Sequence, residues 1–148
     1  MKWLRGVVLG LDDGLVTTLV TIMTVSGVVG SHLLSTMIGV VAASAISMGL
    51  GGYAAARSVA DQNEWMAGLS TGGAFLIGGL APLLPVVLHL SYVQWWSYAC
   101  TALVALLFGW IKARYDNEAG GALRSALFFL AIVTAGTLAG VLIGVALH

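Results

Sequence analysis

Gly10-Leu11-Asp12-Asp13-Gly14-Leu15-Val16-Thr17-Thr18 sets two carboxylates inside the first long apolar segment of the chain. That segment covers about 6–29 and carries no other charge. As an α-helix it is long enough to cross a bilayer, which takes about 20 apolar residues. A charge in hydrocarbon costs roughly 3 kcal/mol even on the mildest scale, so an acid at such a depth is by default kept for a task. Asp13 is therefore the first candidate functional residue. Offsets of three and four along a helix put it on one face with Gly6, Gly10, Thr17, Thr21, Thr24 and Gly27. The face is small and polar between flanks of Leu and Val, which suits a helix contact or a water-filled path rather than lipid. A plainer reading stands beside it, in which Asp13 caps or kinks the helix near the cytosolic headgroups.

The surrounding composition sets the solvent. Of 148 residues, 59% are hydrophobic and 8% charged, where a soluble domain carries about 25% charged residues. Mean hydropathy is +1.01. This is the composition of an integral membrane protein in contact with lipid. Net charge is zero and no basic tract occurs, so no nucleic-acid partner is expected. The single Cys100 allows no internal disulfide, and no Cys/His spacing suits a structural zinc. The chain carries no G-x-S-x-G elbow, no H-E-x-x-H and no phosphate-binding loop, so no enzyme and no cofactor are expected. Met1-Lys2-Trp3-Leu4-Arg5 imitates the start of a signal peptide. Asp12 and Asp13 interrupt the apolar stretch, and no small-residue cleavage site follows, so the segment reads as an uncleaved first span.

Five apolar segments, at about 6–29, 33–56, 65–90, 92–111 and 122–147, predict a single all-α domain over 1–148. Lys2, Arg5, Arg57, Lys112, Arg114 and Arg124 then fall on one side, and the opposite loops hold no basic residue. The positive-inside rule puts the N-terminus in the cytosol and His148 on the other side. Trp3, Trp65, Trp110 and Tyr115 would mark the inner interface, and Tyr92, Trp95 and Trp96 the outer one. His32, His89 and His148 are all outer by this topology and read as interfacial rather than as ligands. Gly136, Gly140 and Gly144 form one small-residue ridge and Gly68 and Gly72 another, both read as helix packing. Pro82 and Pro85 predict a kink in the third span, which membranes tolerate.

The second span contains Ile46-Ser47-Met48-Gly49-Leu50-Gly51-Gly52-Tyr53. Ser44, Met48, Gly51 and Ala55 share a helical face, with Val40, Val41 and Met37 a turn or two further out. A thioether among Ser and Gly is either a soft ligand for a transition metal or a filler of an irregular core. Both readings stand at this point.

Asp13-Gly14 in the first span, the second-span stretch just quoted, and Ala81-Pro82-Leu83-Leu84-Pro85 in the third follow the order seen in the vacuolar iron transporter family. The chain resembles a member from about Gly6 to its end, and the second-span motif is the most specific of the three. The resemblance implies a homodimer of five-span subunits, with a metal path between the first two spans of each. It implies export of Fe2+ and similar ions (Mn2+, Co2+ or Zn2+) from the cytosol in exchange for protons. Asp13 and Met48 match the acid and the methionine of that path. Two-fold symmetry would then assemble two oxygens and two sulfurs. Thr17, Thr21 and Ser44 would add hydroxyl oxygens or hold water. Asp12, about 100° away on the helix, would stand at the entry or make a local hydrogen bond. The only metal implied is the transported ion itself. The host would be the plasma membrane of a prokaryote or a vacuolar-type membrane of a eukaryote.

Two departures bear on metal choice, affinity and transport. The family has a Glu two helical turns before the methionine, where this chain has Val40. Many members insert a Glu-rich metal-collecting domain between spans two and three, where this chain has only 57–64, with Asp61 and Glu64 as its acids. Two other functions fit the same residues. A proton-coupled exporter of small organic cations would need aromatic walls beside the acid. A non-transporting membrane subunit would use Asp13 structurally.

Overall fold

A computed structural model describes residues 3–59, 63–115 and 121–146. Expectations on Lys2, Asp61, Asp116, Asn117, Glu118 and His148 lie outside these residues, as do the side chains of Trp3, Arg5, Lys112, Arg114 and Tyr115. The described chain forms five long helices: α1 (Trp3–Val29), α2 (Leu33–Ser58), α3 (Glu64–Val87), α4 (Val93–Tyr115) and α5 (Gly121–Ala146). A single 3-10 turn, Gly30–His32, joins α1 to α2. No strand occurs among the described residues. Four helical stretches in them are long and apolar enough to cross a membrane: Gly6–Gly27, Leu33–Ser58, Glu64–Val87 and Ala126–Ala146. Helix α4 has 23 residues but opens on Gln94, Trp95, Trp96, Ser97 and Tyr98, and it falls outside that set.

Helix α3 runs on through Pro82 and Pro85 and stops three residues short of the expected end at Leu90. The stop has a local cause. The amide of Leu90 returns to the Pro85 carbonyl at 3.1 Å, and that of His89 to Val86 at 3.1 Å. This is a Schellman arrangement, which needs a left-handed residue at its turn. His89 supplies it with φ 52°, and Tyr92 follows with φ 56° on the way into α4. Glycine usually fills such a position, so the sequence carried no signal for the stop.

Helix α3 lies at the centre, packed on α1, α2 and α4. Lipid tails are as apolar as Leu, so close packing rather than transfer from water holds membrane helices together. The chain achieves it by removing side chains. A methyl at Gly10 would run into the Thr71 carbonyl, one at Gly14 into the Phe75 carbonyl, and one at Gly78 into the Leu11 carbonyl. On the other flank, a Cβ at Gly68 would meet the Gly49 carbonyl at 2.8 Å, and one at Gly72 the Ala45 carbonyl at 2.8 Å. Gly136, Gly140 and Gly144 of α5 lie against Val16, Val20, Met23 and Thr24 of α1, as packing requires.

In the two-fold arrangement that the family resemblance implies, the small face of Gly6, Gly10 and Thr17 is expected to let Asp13 approach a second copy of the chain; Gly6 and Gly10 do not serve that contact. Both turn to α3 instead, Gly6 against Thr71 and Ser70 and Gly10 against Thr71, Ala74 and Phe75. The physical reason is that the Gly6–Gly10–Gly14 stripe is what admits the central helix.

Side chains fill the remaining layers. Leu19 and Met23 of α1 pack with Ala105, Phe129 and Val133 of α4 and α5. Ile22 packs with Leu33, Met37, Leu83 and Val86 toward the α1–α2 turn. Val41 and Ala45 of α2 close over Phe75 of α3.

Candidate functional site

Asp13 is part-buried on α1, on the edge left between the α3 and α5 contacts. Thr17 sits one turn on, and its hydroxyl donates to Asp13 Oδ1 at 3.3 Å. That length makes a weak bond, so the carboxylate is oriented rather than saturated. The Thr21 hydroxyl donates instead to the Thr17 carbonyl at 2.7 Å. Thr24 donates to Val20 at 2.9 Å and approaches the Gly140 carbonyl at 3.3 Å. Of the hydroxyls expected around the acid on α1, Thr17 is the one turned toward it.

Asp12 takes a different direction. It shares a helical face with Leu15, Val16 and Leu19, and Leu19 and Val16 belong to the cluster formed with α4 and α5. Its Oδ1 is buried with no hydrogen-bond partner among the described residues. It therefore points into the subunit, not toward the edge that carries Asp13.

The expected common face of α2 divides. Met37 and Val41 are buried in the intrachain clusters. Ser44 and Val40 are part-buried, and Gly51 and Ala55 are exposed. Met48 is part-buried and packs on the Val41–Ala45–Phe75 cluster. It thus has the packing contact of a core filler while standing at the border of the open face. Phe75 relates the two halves of the site: Gly14, next to Asp13, rests on its carbonyl, and Met48 packs on the cluster it anchors. Gly14 and Met48 are therefore both set at the Phe75 level of α3. Higher up, Thr18 of α1 and Val41 of α2 both lie within 4 Å of a methyl placed on Gly79.

Among the described residues, no group of three or more His, Cys, Asp or Glu side chains is gathered to hold a metal. One subunit offers one carboxylate on α1 with the Thr17 hydroxyl bonded to it, and on α2 one part-buried thioether, Met48, with the part-buried Ser44 a turn before it. Sequence reasoning passed over a second polar group at the N-terminus of α3. The Tyr53 hydroxyl donates to Glu64 Oε1 at 3.2 Å and accepts from Arg57 at 3.3 Å, and its ring lies 4.7 Å from that of Trp65. The i,i+4 spacing of Tyr53 and Arg57 was a signal for half of it; the approach of Glu64 follows only from the α2–α3 pairing. The buried Thr18 hydroxyl, which has no partner among the described residues, was likewise unnoticed.

A model of the VIT family matches the chain in two stretches, residues 4–64 and 59–145. No match was found among curated proteins, and none among solved structures. The two stretches together leave only a few residues at each end uncovered, and they contain Asp13, Met48 and the five helices apart from the outermost residue of α1 and of α5. The chain belongs to the VIT family, and is accordingly a multi-pass integral membrane protein of a family of metal-ion transporters.

Proposed function

We propose that this protein exports divalent transition-metal ions from the cytosol, Fe2+ first and Mn2+, Co2+ or Zn2+ as related cargo, in exchange for protons. On this reading all five helices span, with the N-terminus cytosolic and the C-terminus opposite. Two copies meet through α1 and α2, and the path lies between them. The observation that carries the reading is Asp13: a carboxylate within a helix long and apolar enough to cross a membrane, oriented by Thr17 and only part-buried in one subunit. One acid and one thioether are too few to hold a divalent ion, and a two-fold axis would double both. The outer face of α2 supports the pairing, since Gly39 and Gly51 have open space around them.

Coupling follows from a shared group. A carboxylate that holds a metal ion does not at the same time hold a proton. Metal and proton then compete for Asp13, and each can displace the other. Carboxylate with thioether is a donor set for transition metals rather than for magnesium or calcium. Val40 contributes no ligand. The two stretches of the family match overlap at 59–64, between α2 and α3, which is where a metal-collecting insertion would enter and where this chain has only a short connection. The organic-cation alternative is disfavoured because Phe75, the aromatic beneath this region, is fully buried and offers no face to a cation. Metal transport is also what family membership argues for against a purely structural subunit.

The test is flux into proteoliposomes of Fe2+, Mn2+, Co2+ and Zn2+ across an imposed pH gradient. Metal movement that follows the gradient and is lost in Asp13→Asn is expected. Movement indifferent to both would sink the proposal.

A further inference from the structure

Thr18 is a polar side chain that the proposed path does not use and the packing does not explain; Asp12 also has a buried oxygen without a partner among the described residues, but Thr18 alone of the two is completely buried. It is completely buried between α1 and α3, and its Oγ1 has no hydrogen-bond partner among the described residues. The contrast with its neighbours is sharp. Thr21, Thr24, Thr71, Thr101, Thr134 and Thr137 each return the hydroxyl to the carbonyl four residues earlier. Thr18 does not, although the same geometry is available to any helical threonine. Leaving such a group unpaired disfavours a conformation by a factor of about ten or more.

The opposite wall of the seam offers a complementary acceptor. Proline has no N–H, so Pro82 cannot donate to the carbonyl of Gly78. Gly78 faces α1 directly, since a methyl there would strike Leu11. The Thr18 oxygen stands over the next residue, 2.9 Å from the Cβ position of Gly79. A buried donor without an acceptor thus lies one residue along from a carbonyl without its helical donor. Along this part of the seam Gly10, Gly14 and Gly78 bring backbone against backbone, while side chains of α1 and α3 interlock further on, where Ile22 packs with Leu83 and Val86.

We propose that Thr18 is a two-position switch: its hydroxyl is unpaired in this conformation and takes the Gly78 carbonyl when α1 slides along α3 in the transport cycle. The inference rests on the transport reading for its role, and on the seam alone for its existence. The cost of the unpaired hydroxyl keeps this conformation from becoming a trap, and the new bond favours its alternate.

The experiment compares the full-length protein with Thr18→Val and Thr18→Ser in three measurements: thermal unfolding in detergent, hydrogen–deuterium exchange of the α1 amides without metal, and pH-driven Mn2+ flux in liposomes. Valine keeps the shape and removes the hydroxyl. Thr18→Val should unfold at a higher temperature, exchange more slowly along α1 and carry metal about tenfold more slowly. Thr18→Ser should follow the wild type. A valine variant that unfolds earlier would mean that the hydroxyl already has a partner, such as a buried water, and would overturn the switch. Unchanged exchange along α1 would overturn it too, and unchanged flux would remove it from the cycle. If the wild type carries no metal, the transport reading falls, while the exchange comparison still decides whether the two positions exist.

Discussion

Gly14→Ala is the sharpest probe of how α1 is seated. A methyl built on Gly14 runs into the Phe75 carbonyl and lies 3.0 Å from the Gly79 amide nitrogen. Both neighbours are backbone of the central helix, so neither can swing aside. Overpacking a tight seam costs about 1–3 kcal/mol, and contact with backbone points to the upper part of that range. Alanine regains about 1 kcal/mol of helix propensity over glycine. The net loss is then roughly 1–2 kcal/mol, or a fall of about 2–8 °C in Tm for a chain of this size. Gly51→Ala is the control, because nothing stands within 4 Å of its Cβ position in one subunit. It keeps the propensity gain without the clash and should raise Tm by about 2–4 °C in dispersed single chains. Under conditions that preserve the proposed dimer, the same methyl would meet the second copy and the gain should vanish. Thermal unfolding in detergent, with the oligomeric state followed by size-exclusion chromatography, reads both. A Gly14→Ala protein as stable as the Gly51→Ala protein would refute the backbone-to-backbone seam. It would also refute the placement of Asp13 that depends on it.

Asp13→Asn should abolish metal flux and proton coupling together, since it removes the charge and the titratable group in one step; flux under an imposed pH gradient checks this. Met48→Leu keeps most of the volume, so it should cost under about 1.5 kcal/mol of stability while weakening transport of the softer ions, read by competition between metals. Val40→Glu should raise metal affinity at some loss of stability, measured as metal-dependent thermal shift. A gain that persists when Asp13→Asn is added would show that Asp13 is not the central ligand. Tags at the N-terminus and in the Asp116-Asn117-Glu118 segment should be cytosolic and a tag after His148 on the opposite side; both termini on one side would break the five-span arrangement.

Helix number and limits were readable because lipid imposes a length and forbids unpaired backbone. The expected segments at 6–29 and 33–56 meet α1 and α2 to within a few residues. The end of α3 was not readable, because His89 occupies a left-handed position that sequence rules reserve for glycine or asparagine. The glycine ridges at 68–72 and 136–144 were correctly read as packing, and their partners on α2 and α1 emerged only from the fold.

The site was legible to a different degree for each of its residues, and the reason is geometric. A helical period of 3.6 states which residues share a face, but not what covers that face. Asp13 is conspicuous at any orientation, because its cost in hydrocarbon is independent of the neighbour. Small residues carry no such mark. The same glycine admits a helix of its own chain or a helix of another, and the two uses look alike in sequence. Reading Gly6 and Gly10 as part of an intersubunit face followed from that ambiguity. The structure commits them to α3, with Gly14, whereas Gly39 and Gly51 on α2 remain open. The proposed path would be bounded on α1 by a single polar edge, Asp13 with Thr17, and on α2 by an exposed face where Gly39 and Gly51 stand among Ile38, Ile46 and Leu50. Two subunits meeting there would have α2 supply most of the contact, leaving the α1 edges to supply the ligands. A division of that kind lets an acid approach its mate without being packed against it, which is what a group that must bind and release in turn requires.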